Sequence, residues 1–202
     1  GASHDGVFYM HFDALIRPRH LASSFNKNKM AAFSKSQWCE INKTTLDQEH
    51  CNCVFWDDRR ARSYQRAIDV LRNSSSPVFA DLDPWQFWTG NDDMFYVPRR
   101  LYQLYVQVAQ AFEFVQHEVA GPTMRTILES ATSVPVLNLE CTGSCCVQLL
   151  GELALQPDFK CGHAFDLSQR TVRKFFPKAI STYRSREIPL EDWSAAVQAA
   201  LE

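Results

Sequence analysis

Residues 98–118 read PRRLYQLYVQVAQAFEFVQHE, and the spacing of their apolar side chains decides the fold. Leu101, Leu104, Tyr105, Val108, Phe112 and Val115 recur at intervals of three and four, which marks one face of a helix. Tyr102, Val106 and Ala109 widen that stripe, so the helix is expected to be central and touched on more than one side. Pro98 suits the first helical turn, where a missing N–H has no intrahelical partner to lose. Gly121-Pro122 is expected to end this helix and to start a shorter one through Ala131, with Met124, Ile127 and Leu128 inward.

Working toward the N-terminus, residues 77–83 (PVFADLD) predict a strand, and 84–97 an irregular aromatic segment carrying Trp85, Phe87, Trp88, Phe95 and Tyr96. Asp57-Asp58 open a helix whose Ala61, Tyr64, Ile68 and Leu71 fall on one face, and the run from Asn73 to Ser76 stops it. Residues 51–56 (CNCVFW) and 7–16 (VFYMHFDALI) predict strands, the latter ended by Pro18, while 22–37 predict a loop or short helix. Toward the C-terminus, 134–139 predict a strand and 145–155 a buried helix. Ser168 caps a helix with Val172, Phe175 and Phe176 that Pro177 closes. A strand is expected over 179–187, and a last helix opens at Pro189 with Trp193 and Val197 inward. The pattern is that of an α+β or mixed α/β fold: one compact domain over 4–200, with the long helix packed on a small mixed sheet. Gly1-Ala2-Ser3 resembles a protease-cleavage remnant and Leu201-Glu202 a tag remnant, which predicts a piece of a larger protein.

Composition narrows the class. At 46% hydrophobic the chain can bury enough surface to offset chain entropy, so disorder is excluded. No apolar run reaches the roughly 18–20 residues that span a bilayer, and residues 1–6 lack the basic-then-apolar pattern of a signal peptide. No membrane association is therefore expected. Seven cysteines, an odd number, with Cys145 and Cys146 adjacent, predict reduced thiols in a nuclear or cytoplasmic protein, although sequons at Asn42 and Asn73 would fit a secreted one. The net charge of −2 is unevenly placed. Arg170, Arg173, Lys174, Lys178, Arg184 and Arg186 form a basic stretch free of acids, suited to an acidic or phosphorylated protein partner. Nucleic acid is the less favoured partner, because a duplex-binding domain is ordinarily basic overall.

Four groupings could carry chemistry. In Val78-Phe79-Ala80-Asp81-Leu82-Asp83 an apolar run ends in Asp-x-Asp, a pattern that can hold Mg2+ or divide nucleophile and acid roles. It resembles the first motif of haloacid-dehalogenase-type phosphohydrolases. That resemblance implies Asp81 as nucleophile, Asp83 as acid, and Thr142 and Lys160 as the later Thr and Lys. Cys39, His50, Cys51 and Cys53 lie close in sequence and could hold structural zinc, while buried free thiols would serve as small apolar side chains. Cys145, following Gly143-Ser144, could be a nucleophile with His163 or His117 as base. Glu140, Asp158 and Lys160 fit a metal-dependent nuclease pattern. His4, His11, His20 and His117 stand in no motif. With no complete catalytic motif, the expected function is a non-catalytic interaction or scaffolding domain without a cofactor.

Overall fold

The computed structural model describes residues 4–11, 13–51, 53, 56–143 and 148–187. In chain order the elements are β1 (Gly6–Met10), β2 (Leu15–Ile16), α1 (Pro18–Ser24), β3 (Met30–Ala32), β4 (Gln37–Ile41), β5 (Gln48–Glu49), α2 (Asp58–Arg72), β6 (Gln86–Thr89), β7 (Met94–Pro98), α3 (Tyr102–Ala111), α4 (His117–Thr132), β8 (Val136–Asn138), β9 (Cys161–Gly162) and α5 (Arg170–Glu187). The fold is α+β, as the sequence predicts. Two compact units make it up. One combines residues up to Ser34, Asp93–Arg99 and those from Leu137 on; the other combines Lys35–Asp92 and Arg100–Val136.

In the first unit a sheet runs in the order β1-β7-β3-β8, and β2 pairs with β9. The antiparallel register sets Phe8 opposite Tyr96 and Met10 opposite Met94. Ala31, Phe33, Met94, Tyr96 and Leu139 bury together against this sheet. A second cluster, Leu15, Phe159, Phe165, Val172, Ala179 and Tyr183, holds α5 in place. The Tyr183 hydroxyl donates to the Ala154 carbonyl, and Arg17 lies over the Tyr183 ring at 5.0 Å.

In the second unit β4 is the middle strand, with β5 and β6 antiparallel on either side. The α2 helix forms as expected. The Asp57 side chain caps it by accepting from the Arg60 amide, and Ala61, Tyr64, Ala67, Ile68 and Leu71 are buried. Burial raises the Tyr64 pKa, with Asp83 adding to the effect, and its hydroxyl donates to the Gln86 carbonyl. Phe87 packs between Trp56, whose ring is stacked at 4.1 Å, and Tyr64. The α4 helix lies on β6: Thr123 Oγ1 both accepts from the Trp88 amide and donates to the Trp88 carbonyl. Asp92 and Arg125 form an ion pair, 2% and 3% exposed, so both charges are cut off from water.

The expected long helix over 98–118 is broken. A 3-10 turn (Arg99–Leu101) leads into α3, the chain turns at 112–116, and the Gln116 side chain caps α4 by accepting from the Glu118 amide. Phe112 and Val115 are buried at that corner. Gly121-Pro122 does not end a helix but lies inside α4. Proline cannot supply the N–H that the Glu118 carbonyl would normally receive; the Gly90 amide supplies it instead, at 3.1 Å. Gly121 is required there for another reason. A Cβ at this position would sit 1.5 Å from Asp92 Oδ2.

Other expectations shift. The strand over 77–83 is a 3-10 turn, Pro77–Phe79, because only Phe79 finds a core to enter while Val78 stays 47% exposed. The irregular segment 84–97 holds two strands, β6 and β7. The strand over 7–16 breaks after Met10, and 22–37 contain β3 as well as part of α1. The described part of 51–56 is not a strand: the Gln48 side chain grips both the amide and the carbonyl of Cys53 and bends the segment back. In 145–155 the described part holds a 3-10 helix, Gly151–Leu155. The strand over 179–187 is helical, because α5 runs on through Pro177 with Ala179 and Tyr183 in the core. The helix at Pro189, with Trp193 and Val197, lies outside the described residues.

Candidate metal centre

The first unit brings together side chains from three distant points of the chain. β1 and β7 are antiparallel, so the end of β1 lies beside the start of β7, and the His11 amide extends the pairing by donating to the Asp93 carbonyl at 2.8 Å. The chain then turns: the Ala14 amide donates to the His11 carbonyl, which places Asp13 at the bend before β2. Because β2 and β9 are antiparallel, the residue after β9, His163, arrives at that same bend. The Phe165 amide donates to the Asp13 carbonyl and fixes the return strand.

His163 is the hub. Its Nε2 lies 3.0 Å from Asp13 Oδ1, and its Nδ1 lies 3.0 Å from Asp93 Oδ2. The Nδ1 contact pairs this enclosed nitrogen directly with a carboxylate. His11 Nδ1 hydrogen-bonds Asp13 Oδ1, and the two imidazole rings meet edge to face at 5.2 Å. Side-chain exposure falls from 34% at His11 to 13% at His163, so solvent reaches the cluster from the His11 side. Burial opposes a charge on His163, but Asp93 and then Asp13 outweigh it and raise its pKa.

Two features hold His163 still. The Cys141–Cys161 disulfide ties β9 itself, at a residue two before His163, to the segment after β8. Gly143, at φ +128°, lies so close that a Cβ there would stand 2.0 Å from the His163 carbonyl oxygen. Only glycine combines that backbone angle with that approach.

His11, Asp13 and His163 each offer one ligand atom, and these atoms lie within 4.8 Å of one another. Two imidazoles and one carboxylate suit a transition-metal ion, and three protein ligands leave coordination positions open. Asp93, at the other nitrogen of His163, occupies the place of a carboxylate that orients a ligating imidazole. A second grouping, Glu40, Glu49 and His50, is largely exposed. Its members have other partners: Glu49 accepts from Asn42 Nδ2, and His50 stacks on Trp38 at 5.4 Å.

Of the residues singled out in the sequence, His163 lies in this centre, and the Thr142 carbonyl accepts from its amide at 3.2 Å. Asp81 and Asp83 are exposed, and the Asp83 carboxylate accepts from the Trp85 amide in a tight turn. They belong to the second unit, whereas Thr142 and Lys160 belong to the first, and Lys160 pairs with Glu140. The expected strand end is corrected, since Asp81 and Asp83 follow a 3-10 turn rather than a strand. In the nuclease pattern, Asp158 is exposed. The zinc set fails because Cys39 and Cys51 are joined as a disulfide, leaving Cys53 a buried thiol. The two disulfides also replace the expectation of reduced cysteines. Cys145 lies outside the described residues; of its two candidate bases, His163 belongs to the cluster above and His117 neighbours Asp92 at 3.6 Å. Arg170, Arg173, Lys174 and Lys178 are exposed on α5; Arg184 and Arg186 fall on its last turns. No family model, curated protein or solved structure matches the chain. Among the described residues no helix is long and apolar enough to cross a membrane.

Proposed function

We propose that the first unit binds a divalent transition-metal ion, zinc in the first instance, through His11, Asp13 and His163, and uses it for hydrolytic chemistry in an oxidising compartment. The convergence of these three ligand atoms, with Asp93 at the far nitrogen of His163, carries the reading. A zinc ion with an open position lowers the pKa of bound water toward about 7 and polarises an adjacent carbonyl or phosphoryl oxygen. The protein's part is to hold the ligands and keep His163 in one orientation. The two disulfides support the compartment, since such bonds persist where thiols are not kept reduced.

Titration calorimetry and elemental analysis test this. The intact chain should take up one equivalent of Zn2+, Asp13→Asn and His163→Ala should abolish uptake, and Asp93→Asn should weaken it by about 10–100-fold. Less than a tenth of an equivalent in the folded protein, or unchanged uptake in both ligand variants, would end the proposal.

An interaction domain remains the second reading. The exposed basic side chains of α5, opposite buried Val172 and Ala179, favour an acidic or phosphorylated partner.

A further inference from the structure

The second unit carries a surface unrelated to the metal centre. Between α2 and the end of α3 lies a cleft of 580 Å³ whose walls include Arg59, Arg62, Arg66, Val70 and Phe114. The arginines follow each other at intervals of three and four, so they form one stripe along the exposed side of α2. That stripe extends for about 10 Å at the helical rise of 1.5 Å per residue. Among the described residues none of the three makes an ion pair, whereas neighbouring Arg60 is paired with Asp57. The apolar lining is equally open: Phe114 is 79% exposed and Val70 54%.

We propose that this cleft docks an acidic, amphipathic peptide segment of a protein partner. Guanidinium groups spread along a line match carboxylates spaced along a chain better than they match one compact anion. Each can grip a carboxylate with two parallel N–H donors. Phe114 and Val70 then require a large apolar side chain between the acids, and aromatic and arginine side chains are the usual anchors of such contacts. The rim argues against a uniformly charged polyanion such as a nucleic-acid strand. Asp58 lines the cleft itself, and Phe114 is shared with an adjoining hollow that contains Glu113 and the paired Asp57. A continuous phosphate backbone would meet these carboxylates, while a peptide can place its acids beside Arg62 and Arg66 and neutral residues toward Glu113.

Selection of a random dodecapeptide display library on the whole chain provides the test. The leading sequence is then synthesised with a fluorescent label and titrated by anisotropy. The selected pool should be enriched in Asp and Glu flanking a large apolar residue. R62E/R66E and, separately, Phe114→Ser should each weaken the labelled peptide at least tenfold. Both change exposed side chains, and circular dichroism confirms their folding. Binding should also weaken as NaCl rises from about 0.05 to 0.5 M. The proposal is overturned by an empty selection, by a pool no more acidic than the library, or by equal binding to both variants. It is also overturned if R170E/R173E/K174E abolishes binding while R62E/R66E does not, which would place the partner on α5. An oligothymidylate that binds more tightly than the peptide and depends on Arg62 and Arg66 would overturn it in favour of a nucleic acid.

Discussion

Arg125 and Asp92 show how single residues carry disproportionate weight in the second unit. Burial draws the Arg125 guanidinium pKa down, and the Asp92 carboxylate in contact with it is what keeps the charge in place. A buried pair adds little net stability, but removing one member leaves the other uncompensated. Arg125→Met should therefore destabilise the protein by about 3–5 kcal/mol in urea unfolding. The double variant D92N/R125M should recover at least about 1 kcal/mol of that, because the residual group is no longer charged. Strictly additive losses would show that the pair is not coupled. Neither residue stood out in the sequence, where Asp92 reads as one of several acids in 81–93 and Arg125 as the polar face of a helix. His11 is equally inconspicuous, a lone histidine inside the run 7–16 with no motif around it. A faint local signal existed in the short spacing of His11 and Asp13, but it says nothing of His163, 150 positions away in the chain.

At the scale of elements, β9 is only Cys161–Gly162, yet it sets where His163 stands. Two residues of strand pairing are weak by themselves, and the Cys141–Cys161 disulfide, closing a separation of 20 residues, constrains the segment further. Replacing both cysteines with serine should cost about 3 kcal/mol by the loop-closure argument, measured by urea unfolding. The same variant should lose at least tenfold in Zn2+ affinity by calorimetry, since His163 would no longer be held. Unchanged affinity would mean that β2 and the contacts around Gly143 position the histidine without the disulfide. The elements legible in the sequence were those with their own periodicity and caps, α2 above all. Those misread were decided by a distant partner: the Gly90 amide lets α4 continue through Pro122, and the core around Ala179 and Tyr183 turns an expected strand into helix.

On the scale of the whole molecule, the chain passes between the two units four times, with β7 assigned to the first unit and both flanking segments to the second. A fragment spanning 35–136 would carry β7 without β1 and β3, its hydrogen-bonded neighbours. Strand edges left unpaired on both sides invite association. Size-exclusion chromatography should find this fragment aggregated, and a version with 93–99 replaced by a glycine-serine linker of equal length should be monomeric. Aggregation of both would count against the second unit as an independent folding body. Composition and spacings within one helical or strand period were enough for the α+β class, the caps and inward face of α2, the basic helical face over 170–174 and the lack of a membrane-length apolar run. Tertiary structure alone decided the disulfide pairs, the burial of Asp92 with Arg125 and the meeting of His11, Asp13, Asp93 and His163. Each depends on which strand lies beside which, and antiparallel pairing brings together residues whose separation along the chain carries no information about their separation in space.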